Sequence, residues 1–214
     1  MHKPNDTPKF ITISGMEGTG KSTIIEIFKS ARREDDKKYP FFIREPEDPF
    51  RRLVVEHGLD PDPFTEMLIY MASKSNSFNQ LVVPAMKEGR DVYADRWYAE
   101  LWAFQCFCKG VSSKLADKLN DAMEKYFQCS PTHQIILTAE PETSLSRSKK
   151  RLSESNSKET RFEDMGVKFH SRVKEGFEAY YNKIKNNTTN SIILIDTENL
   201  TIEETYDKIK LFLN

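Results

Sequence analysis

The stretch FITISGMEGTGKST, residues 10–23, decides how the rest of the chain reads. Phe10–Ser14 is apolar and β-branched and runs straight into a glycine, the pattern of a buried strand. Gly15 to Ser22 then satisfies G-x-x-x-x-G-K-[ST] at every fixed position. Glycines let a backbone close around phosphate oxygens. The exposed N–H groups and the start of a helix favour anionic charge. Lys21 adds a point charge for the β- and γ-phosphates, and Ser22 offers a hydroxyl to Mg²⁺. A glycine-rich turn between strand and helix needs no ligand, but strand before and helix after is the setting in which this pattern holds nucleotide. Lys21–Ser30 supplies the helix, with Ile24, Ile25, Ile27 and Phe28 on its apolar face.

Outward from this point the chain alternates short apolar strands with amphipathic helices. Further strands are expected at Phe41–Ile43, Asp91–Ala94, Gln134–Thr138 and Ser191–Asp196. Helices are expected at Phe64–Glu88 (broken near Pro84), Arg96–Cys108, Lys114–Phe127, Pro141–Leu152, Phe162–Lys185 and Ile202–Leu213, with a short one inside the Asp/Pro-rich stretch Glu47 to Pro63. Such alternation predicts an α/β chain of three layers, a P-loop NTPase fold whose central five-stranded parallel sheet is flanked by helices. The 214 residues suit a single domain over 1–214. Ser153–Thr160 is too polar to bury itself and is expected to be a mobile flap, within a lid region of about 147–163.

A formal net charge of -1 gives no whole-chain attraction to nucleic acid or a membrane surface, and neither is expected as a partner. Cys106, Cys108 and Cys129 make no disulfide framework and no zinc-like pair of pairs, so buried thiols in a reducing compartment are the simpler reading. Met1 to Lys9 is polar and lacks the apolar core of a signal peptide. No apolar run approaches the ~20 residues that span a bilayer, and a cytoplasmic protein is expected.

A P-loop alone fits motors, GTPases and kinases. A guanine-reading N-K-x-D string is missing; the nearest, Asn182 to Lys185, lacks the aspartate. ATP is therefore the expected donor, held by Gly15, Met16, Glu17, Gly18, Thr19, Gly20, Lys21, Ser22 and Thr23. In open parallel sheets ligands bind at the C-terminal strand ends. There the second strand delivers Arg44, and the third delivers Asp95 and Arg96. Either arginine alone could be a surface salt-bridge partner, but two beside a P-loop read as clamps on an acceptor phosphate. Asp95 suits a Mg²⁺-bound water or the orientation of a nucleophile.

Further strings complete a pattern. Arg44, Glu45, Pro46 and Glu47 follow the second strand; TEMLIYMASK occupies residues 65–74; Asp95, Arg96 and Trp97 follow the third strand. Pro141 and Glu142 open a helix, Arg161, Phe162 and Glu163 close the flap, and FHSRVKEGF occupies residues 169–177. In order and spacing the chain resembles the thymidylate kinases along most of its length. That resemblance implies MgATP-dependent conversion of dTMP to dTDP by a homodimer. It implies that Glu17 bonds the acceptor sugar, that Arg44 and Arg96 hold its phosphate beside Pro46, and that Tyr70 stacks on the base, although plain core packing fits Tyr70 equally well. It places Asp95 and Ser22 near Mg²⁺. The P-loop has no basic residue before Lys21, so the resemblance is to the members that bring the transition-state cation from the lid; Arg147 and Arg151 are the expected pair, among Lys149, Lys150, Lys158 and Arg161. Phe104, Phe107 and the Trp97/Trp102 region are candidates for apolar dimer surface, or for core.

Four departures touch specificity. Ser73 and Lys74 replace Asp-Arg, so a point donor stands where a planar fork meets the thymine edge. Glu100 and Leu101 stand where the family has small hydroxylic residues near the base. Ser14 replaces the usual glutamate before the P-loop glycine, and Glu47 replaces a glycine. A kinase for dUMP, dGMP or a modified pyrimidine nucleotide therefore stays open beside dTMP. A deoxynucleoside kinase would have less use for two phosphate clamps, and a silent nucleotide-binding regulator would not need Lys21, Ser22, Asp95 and Arg96 together.

Overall fold

The structure is a computed structural model, and it describes residues 7–31, 39–55, 61–155, 165–186 and 191–214. Five strands form one parallel sheet: β1 (Phe10–Gly15), β2 (Phe41–Arg44), β3 (Val92–Asp95), β4 (His133–Thr138) and β5 (Ser191–Asp196). Their order is β2-β3-β1-β4-β5, which puts β1 at the centre. The strand period of two sorts side chains onto the faces. Phe10, Val92, Ala94, Ile43 and Ile136 enter one apolar cluster, while Ile11, Ile13, Tyr93, Ile135 and Leu137 enter the other. Both faces are covered, which is why the strands read as near-continuous apolar runs.

The second cluster is closed by α1 (Lys21–Ser30) through Ile24 and Ile25 and by α9 (Ile202–Leu213) through Ile209 and Leu213. The first cluster is larger. It takes in α3 (Pro63–Ser77), α4 (Val83–Lys87), α5 (Tyr98–Leu101), α6 (Ser113–Phe127) and α8 (Gly166–Ile184). Two further helices are α2 (Asp48–Val55) and α7 (Pro141–Ser155). Asp62 caps α3, accepting from the Phe64 and Thr65 amides, and Thr201 with Glu204 closes a capping box on α9.

Two expected helices differ from their outline. The break assigned to Pro84 is a π turn upstream of it, Phe78–Val82, where the Val83 amide reaches Phe78 O. Widening the ladder to i→i+5 is one way a helix absorbs a proline that has no N–H to give. The helix expected from Arg96 begins at Tyr98 instead: Arg96 has φ 72° and ends β3 in a sharp turn. From Trp102 to Cys108 that helix is π-wound and packs on α8. The aromatics nominated for a dimer surface are core: Trp97, Trp102 and Phe104 are buried in the first cluster, and Phe107 is partly buried against it. Cys106 is buried there too, and burial pushes its thiol up to about 11. No helix among the described residues is long and apolar enough to cross a membrane.

Gly176 of α8 lies against the π segment so closely that an added Cβ would sit 3.1 Å from the Ala103 Cα. Gly176→Val is expected to lower stability by about 1–3 kcal/mol through overpacking, measured as a shift in the urea midpoint; an unshifted midpoint would mean the two elements separate freely.

Candidate active site

Strand β1 ends in the P-loop at the centre of the sheet, and the loop's shape requires its glycines. Gly15 has φ 144°, and a Cβ there would fall 2.1 Å from the Leu137 carbonyl oxygen. Gly18 has φ 71°, and its Cβ would fall 2.3 Å from the Ser144 carbonyl oxygen. Helix α1 starts at Lys21 with no side chain capping its amides and no acidic residue in its first turn. Those amides are open to an anion.

Lys21 is buried, and its Nζ donates to the Gly15 and Met16 carbonyls at 2.6 and 2.7 Å. Burial and the nearby Arg96 hold its ammonium below the ordinary lysine value, against the pull of Glu17, Glu100 and Asp95. Glu17 is also buried, and Arg96 Nη2 lies 3.5 Å from its Oε1. Burial drives its carboxyl up, but Arg96 and Lys21 outweigh that and leave it below the ordinary value. Beside them Arg44 Nε lies 3.7 Å from Asp95 Oδ2, with the Arg44 side chain 59% exposed. Glu17 Oε2 and Asp95 Oδ1 are buried acceptors with no hydrogen-bond partner among the described residues. The C-terminal ends of β1, β2 and β3 thus assemble a cluster of alternating charge with acceptor capacity to spare, as strand-end sites in open sheets do.

The outer part of the site differs from expectation. Leu101, nominated as a substrate contact, is 3% exposed and belongs to the first apolar cluster. Lys74 is buried as well: its Nζ lies 5.7 Å from the Trp97 ring centre, and burial lowers its ammonium value while Glu45 and Glu100 raise it. Glu45 accepts from Ser73 Oγ at 2.7 Å and from Ser77 Oγ, ahead of a cis bond to the half-buried Pro46. Tyr70 is half-buried and donates its hydroxyl to Glu66 Oε1 at 3.0 Å. Glu66 also receives the Lys109 ammonium.

Arg147, expected to face the γ-phosphate, points elsewhere. Its guanidinium donates to the Thr197 and Glu198 carbonyls at 3.3 and 3.0 Å, bracing α7 on the loop after β5. Its Cβ nevertheless lies beside Gly18, 3.1 Å from where a Cβ would stand. Ser144 of the same helix donates to Glu17 O at 2.5 Å. Helix α7 runs unbroken through Ser155, past the expected start of the flap, and Arg151 is exposed on it. The rest of the lid, with Lys158, Arg161, Phe162 and Glu163, lies outside the described residues. Ser22 and Thr23 are exposed at the start of α1.

Sequence reasoning missed three residues that hold this cluster in shape: Glu45, Ser144 and Glu100. Only Glu100 carried a signal, a carboxylate three positions after the turn residue Trp97, where a short helix would use it for its own amide.

The family model described as thymidylate kinase matches residues 13–209. The chain belongs to the thymidylate kinase family. The thymidylate kinase of Clostridium novyi (strain NT) is 30% identical over 216 residues, covering 95% of this chain and 97% of the relative. That of Mycoplasma mobile is 32% identical over 202 residues, covering 88% and 90%. A crystal structure of thymidylate kinase from Ehrlichia chaffeensis shares the fold, with a TM-score of 0.72 at 20% identity over 97% of this chain and 99% of that one. Thymidylate kinases are phosphotransferases, and the described strings that carry the resemblance fall on the ends of β1, β2 and β3 and on α3, α7 and α8.

The P-loop geometry sets two expected outcomes. Gly18→Ala meets a backbone carbonyl and a left-handed φ together, and is expected to weaken ADP binding at least about tenfold in calorimetry; parental affinity would mean the loop opens without resistance. Glu17 has a lower value folded than its unfolded 4.5. Its contribution to stability is therefore present above about pH 4.5 and is lost as pH falls through the folded value. Glu17→Gln is expected to flatten the acid limb of the urea-midpoint profile, and an unchanged limb would remove Glu17 from the acid response.

Proposed function

We propose that this protein transfers the γ-phosphoryl group of ATP to dTMP, giving ADP and dTDP. The observation that carries the reading is the convergence of Lys21, Glu17, Arg96, Asp95 and Arg44 at the ends of three adjacent parallel strands. The P-loop from Gly15 to Thr23 cradles the donor phosphates. Lys21 exchanges its two loop carbonyls for phosphate oxygens. Arg44 and Arg96 hold the acceptor phosphate, and Glu17 holds the acceptor sugar. The nucleophile is a phosphate-monoester oxygen, largely anionic near neutral pH because its second pKa is about 6. The site therefore needs alignment and charge more than a strong base.

The residues present fit Mg²⁺. Ser22 offers a hydroxyl, and Asp95 keeps a buried oxygen without a hydrogen-bond partner among the described residues. Among the described residues no cluster of three His, Cys, Asp or Glu forms a dedicated cage, which suits an ion that takes most of its ligands from phosphate and water. When bound it supplies positive charge to the β- and γ-oxygens. Arg151, with Lys149 and Lys150 exposed beside it on α7, is the cation source that closure would bring to the transferring group. Arg147 acts in this reading as the brace of that helix. The remaining parts, a homodimer in the cytoplasm, rest on family likeness; of the aromatics nominated for the interface, only Phe107 keeps partial exposure.

Coupled ADP release over a panel of nucleosides and monophosphates tests the reading. Turnover is expected with dTMP and not with thymidine, and the reverse pattern would sink it. Lys21→Ala is expected to lower kcat by about 10²–10³ in a folded protein. Arg96→Ala is expected to cost about 1.5–3 kcal/mol in kcat/KM for dTMP, and unchanged constants would dissolve the clamp.

A further inference from the structure

Glu100 has no role in the chemistry above, yet it sits at the middle of the cluster. It is buried, one of its oxygens accepts the Gly15 amide at 3.0 Å, and the other accepts the Trp97 amide at 3.0 Å. The second bond is local and belongs to the start of α5. The first crosses 85 positions of sequence to the first residue of the P-loop. The sheet explains why that amide is available. The β1–β3 ladder ends at the Ile13–Asp95 pair, with Arg96 N–H on Ile13 O. By strand alternation Gly15 presents its amide to the same side. Arg96 has already turned away at φ 72°, so the next rung is supplied by the Glu100 carboxylate. Burial pushes its carboxyl above the ordinary value, and three cations, Arg96, Lys21 and Lys74, stand around it and pull the other way. A carboxylate stripped of water persists only with such partners.

The opposite wall carries the complement. Ser14 is buried, its hydroxyl has no hydrogen-bond partner among the described residues, and it lowers the value of the Glu100 carboxyl. We propose that Glu100 is a positioning residue for the donor loop: its carboxylate fixes the P-loop to the Asp95–Arg96 turn, and the small Ser14 side chain leaves the space that it fills. The proposal rests on the kinase reading for its kinetic arm, and on nucleotide binding alone for the other. It also explains why Glu100 does not read the base: both its oxygens are taken by backbone amides.

The test is an exchange. Glu100→Ser leaves the Gly15 and Trp97 amides without acceptors and removes the common counter-charge. Ser14→Glu alone sets two buried carboxylates face to face. Each single variant is expected to bind ADP at least about tenfold more weakly in calorimetry at 25 °C, and to lose kcat/KM for ATP more than KM for dTMP rises. The double variant Ser14→Glu/Glu100→Ser is expected to return ADP affinity to within about threefold of the parent, the non-additive sign of a shared site. A double variant no tighter than the weaker single overturns the proposal, as do singles with parental affinity. Should Glu100→Ser not fold, Glu100→Gln keeps the shape but can accept only one of the two amides. A lowered thermal midpoint with unchanged ADP affinity in that variant shows mere packing and overturns the positioning role. A parent chain that binds ADP but does not turn over dTMP defeats the kinase reading and leaves the ADP arm decisive.

Discussion

Everything at the strand ends depends on one buried balance of charge. The buried Lys21 and the half-buried Arg96 are held by Glu17 and Glu100, with Asp95 and Arg44 at the margin. Removing a fully buried member, Lys21 or Glu17, leaves its neighbour uncompensated, at a cost of about 3–5 kcal/mol for a buried pair, whereas the exposed Arg44 end of the Arg44–Asp95 pair is screened by solvent. The fold provides for this by parallel pairing. The rungs between Ile13 and Asp95 and between Arg44 and Asp95 bring three strand ends level, so their last side chains meet without long reaches.

That levelness comes from packing on both faces. Alternation along β1 and β4 divides the apolar side chains between two clusters, and helices close each of them. The larger cluster holds the π-wound segments Phe78–Val82 and Trp102–Cys108. Both continue helices that start near the strand ends and run into the core, α3 carrying Tyr70 and Lys74 and α5 carrying Glu100 and Leu101. An extra residue in a turn rotates every later side chain about the helix axis, so residues near the site and residues in the core obey different registers along one helix.

The sequence made the strands, the P-loop and most helices legible because each is governed by local period and by glycine chemistry. Ser191–Asp196 and Ile202–Leu213 stand where their patterns put them. The left-handed turn at Arg96 was not legible, since an arginine gives no local sign of positive φ and tertiary contacts impose it. Nor was the side-chain end of Arg147, whose spacing on α7 fits a phosphate contact as well as it fits the carbonyls of Thr197 and Glu198. Leu101 and Lys74 misled for a related reason: position within a motif says which wall a residue belongs to, not whether the wall's inner or outer side is wet.

Residue 17 is a junction between two parts of the molecule. Its carbonyl is gripped by Ser144 on α7, while its carboxylate faces Arg96 beyond β3. A helix of 15 residues is a stiff rod, and Arg147 ties that rod to the far edge of the sheet. The P-loop residue that faces Arg96 is thereby fixed by the same helix that Arg147 anchors to the loop after β5, so one backbone unit joins the exposed basic stretch of α7 to the charges at the strand ends.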